Sequence, residues 1–433
     1  MADALHFRRA ALVAALVAAT VLCSAAAGAQ LPSASPAALG MADNYTAMAR
    51  GFGAVAWNPA NLGLPHNPRF TLTLLGLRGA GDLGPITTDD VARYQGIRLP
   101  NEVRDAWMQR IDANGGETGQ VGGGVTYLGL SMGRFALQVA SNASVDANMP
   151  PGAMELALYG NAGRTGSAQD IRLDGAHLTG AVTTTTGISW AHPIDLGLAR
   201  LSFGATAKYV MGNMLVHGED RGSQLSATSS QIDLRFPVIL SDTGNSSSVG
   251  NHGSGFGLDV GGAWDSGPFT ASVAIQNIVN TFRWDASSFY YKPIQAYYGA
   301  DTSFSSGDVT MPLDSAPADV RAWLDDQRFK PILSMGVALR ANNRLTLAAD
   351  VRREMGEGLR VGDRTHVGAG AELRLIPFIP LRAGLAVHPD GITIAGGTGL
   401  ELGKINLTVS AEDRRTASGH APGAAIGLSF GGR

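Results

Sequence analysis

Apolar side chains recur at every second residue through much of this chain, the period of a strand with two unlike faces. Leu345, Leu347, Ala349 and Val351 alternate with Thr346, Ala348, Asp350 and Arg352. Phe256, Leu258, Val260 and Trp264 alternate with Gly255, Gly257, Asp259 and Gly261. Leu381, Ala383, Leu385 and Val387 keep the same step, as do Ile405, Leu407 and Val409. The pattern predicts strands near 69–78, 121–131, 133–144, 175–192, 198–213, 253–266, 268–279, 331–340, 344–354, 363–375, 379–388, 391–402, 404–412 and 422–430. That makes about fourteen, the even number an outer-membrane barrel of antiparallel strands requires.

The connections alternate in length. Tight turns are expected at 132–133, 192–197, 265–268, 341–343, 376–380 and 403–404, and longer links at 79–120, 145–174, 214–252, 280–330, 355–362 and 413–421. His388-Pro389-Asp390-Gly391 is a short exception among the long links. Short turns at one end and long loops at the other are the barrel arrangement. Parity then constrains 223–237, where Leu225, Ile232, Leu234 and Phe236 also alternate. One added strand there would put the later tight turns at the wrong end, so 214–252 holds either no barrel strand or a projecting hairpin with 244–248 at its tip. Helical spacing is expected within 87–111, after Asp89 and Asp90 and again after a cap at Asn101, with Val103, Trp107 and Ile111 on one face. A second helical stretch lies in 316–329 around Val320, Trp323 and Leu324. These helices either cover the barrel mouth or simply pack on their own barrel.

Composition supports a membrane location. Charged residues are 16 % of the 433, the chain holds 57 glycines, and the formal net charge is −3. Soluble domains carry roughly 25 % charge, and a nucleic-acid binder needs a basic face. Residues 1–29 read as a signal peptide: Arg8 and Arg9, then the apolar run 10–22, then Ala27-Gly28-Ala29. A retained anchor helix is the alternative, against the run's short length. The one cysteine, Cys23, falls inside this segment, so the mature chain is expected to have no disulfide and no cysteine metal site. Beyond the signal no run reaches the roughly 20 apolar residues of a membrane helix. A closed barrel is the other way to satisfy every backbone group in lipid.

The stretch 40–64, GMADNYTAMARGFGAVAWNPANLGL, is small, apolar and glycine-rich around Trp57-Asn58-Pro59-Ala60. Pro59 fixes its own φ and pushes Asn58 towards an extended backbone. Read alone this could be an ordinary Asn-Pro turn before the first strand. With the signal before it and the strand after it, the segment resembles the amino-terminal hatch of FadL-type outer-membrane barrels, the long-chain fatty-acid transporters and their relatives. The runs 255–261 and 274–278, and 368–372 and 381–385, resemble later hairpins of the same barrels. The ending departs from the usual terminal aromatic, because Phe430 is followed by Gly431, Gly432 and Arg433.

The resemblance implies an all-β transmembrane barrel in the outer membrane of a Gram-negative-type bacterium, spanning 67–433, with residues 30–66 as a plug in the lumen. It implies passive uptake of a hydrophobic compound such as a long-chain fatty acid. Secretion- or surface-assembly barrels of the PorV kind share the motif, which leaves a protein-binding role as the alternative. The hatch or gate would be Gly51, Gly53, Asn58, Pro59 and Ala60, and the ligand pocket Phe52, Val55, Trp57 and Leu62. The polar lumen would include Asp259, Asp350, Arg352, Glu372 and Arg382, with Arg134, Gln138, Lys208, Gln276, Arg374, Asn406 and Glu412. Both signs occur, so these are expected to pair mutually. Arg352, Arg353, Arg360, Arg364, Arg414 and Arg415, with Asp363, are expected at the outer rim, where lipopolysaccharide phosphates are possible partners besides lipid. Trp57, Trp190, Tyr209, Trp264, Trp284, Tyr290 and Tyr291 are expected at the membrane interface or in loops. Neither His-Glu-x-x-His nor Gly-x-Ser-x-Gly occurs, so no enzyme, cofactor or metal is expected, and the protein is read as a monomer.

Overall fold

The computed structural model describes residues 34–432 apart from 161–162, 168, 227–230, 242–249, 300–301, 308, 357, 360–363 and 417–418. The signal segment, the 244–248 tip, Arg360 and Asp363 therefore lie outside the described residues. Fourteen long strands are numbered here in chain order: β1 Phe70–Gly84, β2 Glu117–Met132, β3 Phe135–Met149, β4 His177–Asp195, β5 Arg200–Glu219, β6 Gly253–Asp265, β7 Phe269–Asn280, β8 Ile332–Arg340, β9 Leu345–Glu354, β10 Thr365–Ile376, β11 Ile379–His388, β12 Gly391–Leu402, β13 Ile405–Thr416 and β14 His420–Gly432. Each pairs antiparallel with its sequence neighbour, and β14 returns to β1 from Phe70↔Gly432 to Ala80↔Gly423. The ring is closed and has no free edge, the condition for strands in lipid.

The expected alternation is real. Leu347, Val351, Leu381, Leu385, Val387, Leu407 and Phe256 are exposed on the outer face. Asp259, Asp350, Arg352 and Lys208, on the opposite phase, are buried. A strand needs about 9–11 residues to cross the bilayer. β4 and β5 have 19 and 20 and so run well past it at the long-loop end. β1, β2 and β3 likewise extend beyond the expected bounds, to Gly84, from Glu117 and to Met149. The lipid-facing apolar signal stops where the strands leave the membrane, and Gly79, Gly81, Gly119 and Asn148 carry the ladder on without it.

The projecting-hairpin alternative holds. Gln224–Ser226 and Gln231–Arg235 pair in a separate five-stranded sheet with Ile171–Arg172, Gln295–Gly299 and Thr302–Gly307. Helices form at Thr88–Arg93, Asn101–Asn114 and Ala318–Asp326, with Pro100 rather than Asn101 at the cap position. A further helix, Pro151–Tyr159, was not expected. The helix Ala318–Asp326 packs on its own barrel end. Trp323 stacks on His217 of β5 at 3.6 Å, and Val320 and Leu324 join a buried cluster with Phe282, Trp284, Phe289 and Leu359.

Candidate functional site

Residues 34–66 contain only short helical turns. Ser35 caps Pro36–Leu39 by accepting from the Ala38 amide. Asn58, extended at φ −155°, caps the turn Pro59–Gly63 by accepting from the Ala60 amide at 3.0 Å. Asn61 Nδ2 donates to the carbonyls of Thr46 (2.8 Å) and Ala49 (3.2 Å), closing the segment on itself. A chain this irregular can be buried only if its backbone groups find partners.

The barrel wall supplies them. Asp350 of β9 accepts from the amides of Tyr45 (2.9 Å) and Thr46 (2.7 Å). Ser202 of β5 donates to the Ala60 carbonyl (2.7 Å), Gln276 of β7 to Ala56 (2.6 Å) and Ser410 of β13 to Pro36 (2.6 Å). Thr126 of β2 and Thr71 of β1 accept from the amides of Ala34 and Phe52. Asn44 donates to the Leu385 carbonyl of β11 and meets His366 of β10 at 3.2 Å. Asn58 Nδ2 donates to the carbonyls of Gly262 (3.1 Å) and Val273 (3.2 Å), a register pair of β6 and β7.

Several of the segment's closest approaches to the wall are at glycines. A Cβ on Gly261 would lie 2.0 Å from Asn58 Oδ1, one on Gly204 2.4 Å from the Ala60 nitrogen, and one on Gly384 2.1 Å from the Met41 carbonyl carbon. Gly129 meets the Phe52 ring and Gly368 the Asn44 side chain just as closely. Their absent side chains leave the room that the segment occupies.

Above the segment, towards the long loops, is a cavity of about 660 Å³. Its floor carries Ala42, Asp43, Arg78, Arg352 and Glu412. Arg78 grips both oxygens of Asp43 at 2.8 Å and reaches Glu412 at 3.2 Å. Val145, Ala181, Trp323 and Leu359 make an apolar side, and His366, His388, Asp390 and Arg414 line the cavity as well. Below the segment, on the same strands, lies a second ionic group. Glu372 pairs with Arg374 (2.7 Å) and Arg382 (2.8 Å), and Arg374 with Glu401 (2.8 Å).

The expected hatch residues Gly51, Asn58, Pro59 and Ala60 are buried against the wall. Gly51 has φ +59° beside Thr71, which explains the glycine, whereas a Cβ on Gly53 would meet nothing within 4 Å. Phe52, Val55, Trp57 and Leu62 do not line the cavity. Val55 and Leu62 pack with Ala136 and Ala191, and Trp57 packs against Tyr45 with Arg352 5.2 Å over its ring. Trp57 is thus not an interface aromatic, and Trp284 and Tyr291 are buried in the loop cluster. Asp259, Asp350, Arg352, Glu372 and Arg382 all face inward. Lys208 and Asp259 pair at 2.6 Å. Arg134 departs from its expected place: it sits exposed at the β2–β3 turn. Arg352 and Arg414 face the lumen rather than the rim, while Arg353 and Arg415 are exposed. The sequence reading missed Asp43 and Arg78, because Asp43 precedes the first strand and one arginine among the glycines of β1 gives no periodic signal.

A family model described as "F plasmid transfer operon, TraF, protein" matches residues 105–351. Among curated proteins nothing matches. Solved structures of the same fold include two toluene transporters. The P. putida toluene transporter TodX is 12 % identical over 93 % of this chain and 99 % of its own, with a TM-score of 0.53. The Ralstonia pickettii toluene transporter TbuX is 14 % identical over the same shares, with a TM-score of 0.50. The chain therefore shares the closed β-barrel fold of these two structures, and a barrel is what the resemblance to FadL-type proteins implies.

Proposed function

The chain belongs to the TraF family whose model spans more than half of it, and from this and its FadL-type fold we propose an outer-membrane channel for hydrophobic compounds with residues 34–66 as its hatch. The observation that carries the reading is the cavity above those residues, with an ionic floor at Asp43, Arg78 and Arg352 and an apolar side at Val145, Ala181, Trp323 and Leu359. A bare hydrocarbon in that space would strip water from charged groups at high cost. A long-chain fatty acid suits it better, with its carboxylate at the arginines and its chain against the apolar side. The toluene named for TodX and TbuX is the less favoured ligand here for the same reason. The hatch must then yield for the ligand to leave.

The test is uptake of labelled oleate and labelled toluene by cells with and without the protein. Faster oleate entry supports the reading, and equal entry of oleate in both strains overturns it. The second reading is a secretion- or surface-assembly barrel. It is favoured by the plasmid-transfer description of the family and by a loop cluster whose aromatic residues are already packed on one another. Co-purification of a secreted protein through the loops, with no change in oleate uptake, would move the conclusion there.

A further inference from the structure

Not every part of the segment beneath the cavity is held in the same way. On the β5–β7 side, Asn58–Gly63 has no residue at positive φ, and it is fixed by neutral hydrogen bonds to Ser202, Gly262 and Val273. On the β9–β13 side the backbone is strained. Ala42 and Asp43 are consecutive non-glycine residues at φ 50° and 59°. The left-handed region is costly for such residues, and strain of this kind persists only where the surroundings enforce it. Neutral bonds hold this turn too, from the Asp43 amide to the Ala38 carbonyl (2.8 Å) and from Asn44 Nδ2 to the Met41 carbonyl (2.7 Å), but here an ion pair is added to them. Arg78 clamps Asp43 and is shared with Glu412, a second carboxylate that can take the arginine if Asp43 lets go.

The barrier is also thin here. Inward-facing positions along β10 are His366, Gly368, Gly370, Glu372 and Arg374. His366 lines the cavity, Gly368 and Gly370 meet Asn44 and Met41, and Glu372 and Arg374 belong to the lower ionic group. On β11 the same order is His388, Ala386, Gly384 and Arg382, with Gly384 against Met41 and Ala42. The side chains of Arg374 and Glu401 keep 14 % and 28 % exposure, so water reaches the lower group. Two ionic clusters are thus separated by two inward-facing positions of β10 and of β11, against which the turn Met41–Asn44 packs.

We propose that the gate of this barrel is the turn at Ala42–Asp43, latched by Arg78, and that opening it joins the two ionic clusters into a polar path along β9–β13 for water, small ions and a charged head group. Asn58–Pro59 is then the fixed hinge side, not the moving part. This rests on the channel reading above.

The experiment is KCl conductance of the full-length protein in planar bilayers. Asp43→Asn and Arg78→Gln weaken the latch, and a lost charge-assisted pair corresponds to about tenfold more time open. Ala42→Gly relieves the strain of the closed turn and should return Asp43→Asn towards the wild-type level. Gly384→Ala, which pushes a methyl into Met41, should open the gate by a route that leaves the latch intact. Each variant is first checked for the heat-dependent gel mobility of a folded barrel. Wild-type conductance in Asp43→Asn and in Gly384→Ala overturns the proposal, as does an opening in Asn58→Ala larger than in either. If oleate uptake occurs but the latch variants behave as wild type, the gate is misplaced and the channel reading stands. If oleate uptake is absent, the channel reading fails whatever the conductance, and the gate proposal falls with it.

Discussion

Gly261 and Gly262 are neighbours on β6 that face opposite ways, and they offer a controlled test of how the barrel holds its interior segment. A Cβ on Gly261 would lie 2.0 Å from Asn58 Oδ1, whereas one on Gly262 meets only Val273 Cγ1 at 3.6 Å, an ordinary contact. Asn58 is fully buried. It makes hydrogen bonds to Ala60, Gly262 and Val273, so it has nowhere to swing. A methyl at 261 must expel the amide and break these bonds. At about 1 kcal/mol net for each, Gly261→Ala should cost about 3 kcal/mol. Asn58→Ala loses the same bonds and should cost about the same. The double variant has no amide left to clash with the methyl, so its cost should stay near about 3 kcal/mol rather than reach about 6. Gly262→Ala should be neutral or stabilise by up to about 1 kcal/mol through reduced backbone freedom. The assay is urea unfolding of the barrel in lipid vesicles, followed by tryptophan fluorescence. Additive costs in the double variant, or equal costs for Gly261→Ala and Gly262→Ala, would refute the reasoning.

Two further outcomes are expected. Breaking the buried Lys208–Asp259 pair with Lys208→Met should cost about 3–5 kcal/mol by leaving an uncompensated carboxylate, and Lys208→Met with Asp259→Leu should recover most of it; wild-type stability of the single variant in the same urea assay would count against this. In the loop helix Thr88–Arg93, burial pushes the Asp90 carboxyl up but is outweighed by bonds from Arg110 and from Thr87, leaving its pKa below the ordinary value. A carboxylate lowered on folding stabilises above its unfolded pKa and loses that contribution as pH falls through the folded one. Amide-exchange protection of this helix should therefore fall at pH values below the ordinary aspartate range, and Asp90→Asn should remove the pH dependence.

The strands were legible because lipid imposes a strict two-residue period on their outer faces, and strand parity placed the 224–235 hairpin outside the wall. What the period could not carry is the part of the molecule that lipid does not touch. The outer halves of β1, β2 and β3 lack the signal because both their faces leave the membrane. The helix Pro151–Tyr159 starts at a Pro-Pro pair that reads as loop, and its Met154 and Leu158 pack in a loop cluster with Met108, Ile111 and Ile86. Inside the barrel, alternation identified Asp350, Arg382 and Glu372 as inward but not their partners. Asp350 binds the backbone of Tyr45 and Thr46, which no side-chain pattern reveals. The glycine count was visible, yet Gly261 and Gly262 look alike in sequence, and only their opposite faces give them different work.

The closed ring also bears on the order of assembly. Residues 34–66 precede β1, and the seam of the ring joins β1 to β14, the two ends of the barrel chain. A wall fitted this closely around its contents favours folding of the two together. The amino-terminal segment is therefore expected to be in place when the last strand finds the first, a mould on which the cylinder is cast. Seam closure is the pairing of greatest sequence separation, and so the step that a misplaced interior should slow most.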